Sequence, residues 1–273
     1  MTASRLGRTL IIGGGRMGEA ILAGLLNIEG MTPDAVVVAE PEQVRREHLV
    51  GVYRISCVEN AAEAGPAQTV FLAVKPQVLT EVVQAACSSG VFDSAALIVS
   101  IAAGRTCASI EPLLPAGAHL VRVMPNMPLM VGKGTAAVAA GSLATPEDVV
   151  LVCDVYNAAG TGVEVLESEL DIATALSGSG PAYFARVVDA MATAGEKLGM
   201  DYESAYALSL DTMLGTAAML SEGDMDAREL IVAVSSPGGT TVAALDAFTG
   251  AGLDEAIDAG VEAAFRRSKE LSN

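Results

Sequence analysis

In the first half of the chain, apolar residues gather into short unbroken runs instead of alternating with polar ones. The runs at 9–12, 36–39, 69–74, 97–101 and 120–123 are rich in Val, Ile and Leu and predict strands. Strands without alternation are those covered on both faces, as in a parallel sheet. Between them, 18–26, 42–49 and 78–86 carry helical spacing, and strand–helix alternation of this kind predicts a doubly wound α/β sheet. Two further runs, 136–139 and 163–166, are expected to extend it.

Past about residue 167 the pattern changes, and almost nothing reads as a strand. The segments 182–198 and 204–220 are long, alanine-rich and apolar around nearly their whole circumference, and a third helix is expected over 242–248. A helix that is apolar on every side must be buried. A domain of about 105 residues cannot enclose two such helices alone, so burial against a second copy, an intimate homodimer, is expected.

A glycine motif joins the first strand to the first helix. Gly13, Gly15 and Gly18 form GxGxxG directly after an apolar run and at the start of a helical one. The pattern alone is weak, but in this context it is the fingerprint of a dinucleotide-binding Rossmann turn. Gly13 permits the tight turn, Gly15 lets backbone approach a pyrophosphate, and Gly18 lets helix pack on strand. The helix N-terminus then offers N–H groups and partial positive charge to the phosphates. Glu40 ends the second strand about 20 residues past the last glycine, where an acidic group takes the ribose hydroxyls of NAD. That favours NADH; Arg45 and Arg46 follow closely and leave NADPH open.

Composition narrows the functional classes. With 51% apolar and 18% charged residues among 273, the chain reads as globular. No apolar run approaches the length of a membrane span, and the four-residue apolar core 10–13 is too short for a secretory signal, so a cytoplasmic location is expected. The formal charge of −17 argues against nucleic acid and anionic membranes. Cys57, Cys87, Cys107 and Cys153 lie far apart, and with only His48 and His119 beside them no metal-ligand set is expected.

Four further segments carry a resemblance. Ala73-Val74-Lys75-Pro76-Gln77 closes one strand and Met124-Pro125-Asn126 another; Gly178-Ser179-Gly180-Pro181-Ala182-Tyr183 and Ser236-Pro237-Gly238-Gly239-Thr240-Thr241 lie in the helical half. Together, in this order over nearly the whole chain, they resemble the pyrroline-5-carboxylate reductases. The resemblance implies an α/β protein, with an N-terminal Rossmann doubly wound sheet over 1–166 and an all-α dimerisation and substrate domain over 167–273. Two subunits interlock through the helices and can assemble into larger rings. It implies reduction of the C=N bond of 1-pyrroline-5-carboxylate to L-proline by NAD(P)H. The cofactor would lie on Ile12, Gly13, Gly14, Gly15, Arg16, Met17 and Gly18, with Glu40, Asn60, Ala73, Val74, Lys75, Pro76 and Ala103 also touching it. The substrate would lie against Ser236, Gly239, Thr240 and Thr241, with the Thr241 hydroxyl nearest the ring nitrogen, and Glu222 matches another substrate-side position. The chain departs from the family in carrying Met127 where Thr is common, and Glu40 where a small polar residue is common.

The residue types suit such chemistry. Pro237 fixes one dihedral, Gly238 and Gly239 open conformations closed to other residues, and Thr240 or Thr241 can cap the helix expected from Val242. A glycine-opened helix N-terminus gathers several N–H groups at one point and can hold a carboxylate without any arginine. The same segment can also be read as a plain capped turn between helices. A carbonyl reductase needs a proton donor such as His, Lys or Tyr, whereas a cyclic imine can arrive protonated. Lys75 can serve as a general acid or line the ribose; His119 reads as structural, and Tyr183, Tyr202 and Tyr206 as packing at the dimer core. Two rival readings remain. One is a β-hydroxyacid dehydrogenase, which relies on a helix lysine; here only Lys197 and Lys269 follow residue 167, neither near the glycine-rich turn. The other is a non-catalytic dinucleotide-binding regulator.

Overall fold

The computed structural model describes residues 2–94 and 97–272. Among them, eight strands form one sheet: β1 (Thr9–Ile12), β2 (Val36–Ala39), β3 (Ser56–Val58), β4 (Thr69–Leu72), β5 (Leu97–Ser100), β6 (His119–Pro125), β7 (Gly134–Ala140) and β8 (Gly160–Glu164). Their order is β3-β2-β1-β4-β5-β6-β7-β8. All neighbours run parallel except β6 and β7, which pair antiparallel with Val123 opposite Val138. The chain reverses from β2 through β1 to β4, so the carboxyl ends of β1 and β4 flank a topological switch point, the place where such sheets bind ligands.

The unbroken apolar runs have a direct cause. Successive side chains of a strand point to opposite faces, and here both faces are cores. Ile11, Phe71, Leu97 and Val99 belong to one buried cluster; Leu10, Ile12, Val70, Leu72 and Ile98 belong to the other. Every position of β1, β2, β4 and β5 is buried. The helices that cover them are α1 (Thr2–Leu6), α2 (Arg16–Leu26), α3 (Gln43–Tyr53), α4 (Leu79–Ser88), α5 (Cys107–Ile110) and α6 (Pro146–Asn157).

After β8, α7 (Leu170–Ala173) runs into a π-helical turn, Thr174–Gly178, before α8 (Gly180–Lys197). Then follow α9 (Tyr202–Glu222), α10 (Ala227–Ala233), α11 (Thr240–Gly250) and α12 (Leu253–Ser272). The chain divides into two compact units, residues 1–179 with 264–273, and Gly180–Ala263. In the second unit α8 and α9 pack closely: a Cβ on Gly195 would lie 2.9 Å from that of Ala205. Few of its side chains are buried within the single chain. Phe184 and Val187 of α8 are 62% and 51% exposed, and Leu208 and Leu214 of α9 are 59% and 68% exposed, so the two expected long apolar helices are present and largely uncovered. No described helix is long and apolar enough to cross a membrane.

The sequence-based element bounds shift in several places. The strand expected over 69–74 stops at Leu72, and that over 97–101 at Ser100, while β6 and β7 are longer than expected. The strand expected over 163–166 is Gly160–Glu164, because β7 pairs it from Gly160 onward. β3, α6, α10 and α12 were not anticipated. His119 Nδ1 lies 2.7 Å from Asp148 Oδ2. Asp148 also closes a capping box at the start of α6, where its carboxylate accepts the Thr145 N–H at 2.8 Å while Thr145 Oγ1 accepts the Asp148 N–H at 3.2 Å.

This cap gives a pH prediction. Partial burial works to raise the Asp148 carboxyl, but the bonds from Thr145 and His119 outweigh it and hold the group below the ordinary carboxylate range. A depressed folded value means the stabilisation is full above the unfolded pKa and is lost as pH falls through the folded one. The Asp148→Asn variant should therefore be less stable near neutrality, by about 1 kcal/mol as for other lost caps, and should lose less on acidification. Urea unfolding at a series of pH values below about 5 checks this; parallel acid limbs for the two proteins would show that Asp148 is not part of the acid response.

Candidate functional site

The glycine loop is built as its spacing requires. Gly13 has φ +108°, and a Cβ there would lie 2.5 Å from the Ala73 carbonyl oxygen, so β1 and the end of β4 approach too closely for any side chain. A Cβ on Gly18 would fall 2.0 Å from the Gly13 carbonyl oxygen, which is the close helix–strand contact this position serves. Gly15 is different: nothing lies within 4 Å of where its Cβ would be. Gly15 is also the N-cap of α2 and provides no side-chain cap, so the N–H groups of the first helical turn are left without a capping side chain. That cradle fits an anion such as a pyrophosphate. Arg16 is exposed beside it, and Met17 is half-buried against the core.

A cleft of about 500 Å³ opens next to the loop, and Ile12, Gly13, Asn60 and Val74 all line it. Four expected cofactor residues from separate parts of the chain are thus brought to one cavity. Asn60 starts the turn after β3, and its side-chain amide donates to Glu63. Ala73 continues the pairing of β4 with β1, its N–H donating to Ile12 O at 2.8 Å. Lys75, exposed, and Pro76, half-buried, lead into α4 through carbonyl bonds to the Val78 and Leu79 N–H groups. Ala103 is exposed in the turn after β5. Lys75, Pro76 and Ala103 stand at the same sheet edge and not in the cleft wall.

Glu40 is no solvated loop carboxylate. It is only 8% exposed, with Oε2 accepting the Gly14 N–H at 2.7 Å and Oε1 the Glu42 N–H at 2.9 Å. Arg45, which donates to the Gly14 carbonyl, is joined to Glu19, a residue that sequence reasoning missed. Glu19 joins Arg45 at 2.8 Å, His48 at 2.8 Å and the Tyr53 hydroxyl at 3.3 Å. Partial burial works to raise the Glu19 carboxyl, but Arg45 and His48 prevail and hold it below its usual range. Ala61 and Ala62 in the cleft wall were missed together with β3, the strand that delivers them.

In the second unit the expected substrate segment forms a turn between α10 and α11. Gly238 has φ +72°, and the Gly239 N–H returns to the Ser236 carbonyl at 2.9 Å. A Cβ on Gly239 would sit 2.5 Å from Ser236 Oγ and 3.0 Å from the Ser236 carbonyl oxygen, so a side chain there would have to displace the Ser236 hydroxyl. The helix starts two residues earlier than expected, at Thr240, with Gly239 as N-cap and no side-chain cap bond. Thr240 and Thr241 therefore do not cap the helix: the glycine turn places them already inside its first turn. Thr241 is half-buried and Thr240 exposed. Ser236 is exposed, and the neighbouring Ser235 hydroxyl is buried without a partner. Glu222 is the last residue of α9, with α10 between it and the turn in the chain.

Asn126 of the Met-Pro-Asn segment is structural. It is 8% exposed, donates from its amide to Ser177 O at 3.1 Å and accepts the Thr135 N–H at 2.8 Å, tying the end of β6 to the π turn and to β7.

Comparison with known proteins gives a consistent result. The family model for pyrroline-5-carboxylate reductase dimerisation matches residues 167–271, and one described as NADP oxidoreductase, coenzyme F420-dependent, matches residues 8–104. A pyrroline-5-carboxylate reductase of Synechocystis is 38% identical, covering 96% of this chain and 97% of its own length. Among solved structures, a pyrroline-5-carboxylate reductase from Coxiella burnetii superposes with a TM-score of 0.91 at 31% identity, over 98% of this chain and 99% of that one. The Plasmodium falciparum pyrroline carboxylate reductase with NADP bound gives a TM-score of 0.83 at 27% identity, over 98% and 99% of the two chains. With near-complete coverage at this identity, the chain belongs to the pyrroline-5-carboxylate reductase family.

Proposed function

We propose that the protein reduces the C=N bond of 1-pyrroline-5-carboxylate to give L-proline, taking hydride from NAD(P)H. The observation that carries this reading is the uncapped first turn of α11. Its glycine N-cap offers unpaired N–H groups to a carboxylate, and Thr241 stands in the same turn with its hydroxyl unused by any cap. Thr241 is the catalytic residue of the proposal. Ser236, Gly239 and Thr240 form the rest of the substrate seat, and Glu222 is assigned to the substrate side with them.

The dinucleotide would be held by the loop Ile12 to Gly18, with Asn60 and Val74 in the cleft and Ala73, Lys75, Pro76 and Ala103 along the sheet edge. When bound, it supplies the hydride, and the protein supplies position and electrostatics. Reduction of a protonated imine adds hydride to carbon and leaves the nitrogen as an amine, so no strong acid is required. The turn 235–241 contains no His, Lys or Tyr, which suits an imine better than a carbonyl. Thr241 orients the ring through its nitrogen, and the α11 N–H groups fix the acid group. The helix lysine on which β-hydroxyacid dehydrogenases rely has no counterpart near this turn.

NADH is the favoured donor in this reading, because the Glu40 carboxylate closes β2, where a 2′-phosphate would meet its charge. NADP in the Plasmodium falciparum relative is the finding that pulls the other way. The assembly is proposed to be a homodimer, extending to a ring of dimers, in which the uncovered apolar surface of α8 to α11 is buried. Domain limits of 1–166 and 167–273 go with it, supported by the family match that begins at residue 167. A cytoplasmic location is part of the proposal; all four cysteines are free thiols, the state a reducing compartment maintains.

One assay tests the activity: oxidation of NADH and of NADPH followed with 1-pyrroline-5-carboxylate, with a 2-ketoacid and with buffer. Turnover is expected with the imine, faster with NADH. Turnover with the ketoacid alone would favour the dehydrogenase reading, and dinucleotide binding without any turnover the regulatory one. Mass in solution should be that of a dimer or a multiple of it; a stable folded monomer would overturn the assembly.

A further inference from the structure

We propose that Arg45 is a positioning residue that, together with Glu40, sets the conformation of the glycine loop, and that it is not an anchor for a ligand phosphate. Gly14 is held from both sides. Its N–H donates to Glu40 Oε2 at 2.7 Å, and its carbonyl accepts from Arg45 Nη2 at 2.6 Å and Nε at 3.0 Å. The two bonds fix the peptide planes on either side of the Gly14 Cα, and hence the two soft dihedrals of the middle residue in a run of three glycines. Glycine has the most conformational freedom to lose, and both bonds involve a charged side chain, the stronger class of hydrogen bond.

Both side chains are themselves secured. The second oxygen of Glu40 accepts the Glu42 N–H at 2.9 Å. Arg45 is held from its far side by Glu19 Oε2 at 2.8 Å, in the first turn of α2, and Glu19 Oε1 is held by His48 at 2.8 Å. The Arg45–Glu19 pair is mostly shielded, its side chains 26% and 14% exposed, so water screens it less than a surface pair. Arg46 is likewise occupied, donating to Glu40 O at 2.8 Å and Pro41 O at 2.7 Å. To serve a 2′-phosphate, Arg45 would have to give up the loop it holds. A loop fixed before the ligand arrives spares the ordering cost on binding, so Arg45 supports either cofactor equally. The inference rests on the glycine loop being the cofactor site.

The test is the affinity of Arg45→Met for NADH and NADPH separately, read by nucleotide fluorescence, with kcat at saturation and a thermal melt alongside. Both affinities should fall by a similar factor, about tenfold for the loss of hydrogen bonds to a charged donor, with kcat within about twofold and Arg45→Lys intermediate. Glu19→Gln, which leaves Arg45 in place but removes its charged support, should weaken both cofactors by a smaller common factor and serves as the readout should Arg45→Met fail to fold. Selective loss of NADPH affinity would make Arg45 a phosphate anchor, and unchanged affinities in both variants would leave the loop self-supporting; either result overturns the inference. Because each variant is scored on its ratio of the two affinities, the answer does not depend on which cofactor the wild type prefers. Failure of the wild type to bind either dinucleotide would instead sink the functional reading.

Discussion

Thr241→Ala should lower kcat by roughly 30- to 800-fold while leaving cofactor affinity within about twofold. The range corresponds to about 2–4 kcal/mol, the loss expected for a hydrogen-bond donor used mainly in the transition state. The structure sharpens this expectation by removing a competing role. Had Thr241 capped α11, its loss would have cost helix stability as well as chemistry, and a fall in activity would have been ambiguous. Gly239 is the cap and contributes no side-chain bond, so the variant should melt within a degree or two of the wild type. Thr241→Ser keeps the hydroxyl and should retain most of the turnover, with a modest rise in KM from the freer rotamer. Steady-state kinetics with saturating cofactor, together with a melt, separates these outcomes. An alanine variant as fast as wild type at saturating substrate removes Thr241 from the mechanism.

Much of the architecture could be read from the sequence, because the sheet lies between two cores. Ile11 and Phe71 face one apolar cluster and Leu10 and Val70 the other, so the strands announce themselves as unbroken apolar runs. β3 escaped notice for the opposite reason: Ser56 is exposed, Cys57 and Val58 are half-buried, and three such residues give no run at all. With it went Ala61 and Ala62, whose place in the cleft depends on that strand. α12 was legible in principle, since Leu253, Ile257, Val261 and Phe265 recur every four residues, but its many charges masked the stripe. The site divides in the same way. The glycine positions follow from local backbone demands and were readable. The network of Glu19, Arg45 and His48 was not, because it forms between α2 and α3 across 26 to 29 positions of sequence, and no local pattern encodes that meeting. The expected threonine cap failed because Gly238, at φ +72°, turns the chain early enough for the helix to begin at Thr240.

The second large effect should separate folding from binding within a single motif. Gly18→Ala would place a methyl 2.0 Å from the Gly13 carbonyl oxygen, against backbone that cannot swing aside as a flexible side chain can. Either α2 lifts from β1 or the loop opens, and overpacking of this severity should cost about 3 kcal/mol or more. Melting should move down by several degrees, and binding of both reduced dinucleotides should be lost. Gly15→Ala meets no atom within 4 Å and keeps a φ of −64° that any residue adopts, so its stability should stay within about 0.5 kcal/mol of wild type. Its methyl nonetheless occupies the space in front of the α2 N–H groups, where a pyrophosphate would lie. Both dinucleotides should therefore bind at least about tenfold more weakly to a protein that is fully folded. Thermal melts and nucleotide titrations of the two variants side by side decide the matter. A Gly15→Ala protein that binds both dinucleotides as well as wild type would mean the phosphates lie elsewhere, and the glycine motif would be reduced to a tight turn between strand and helix.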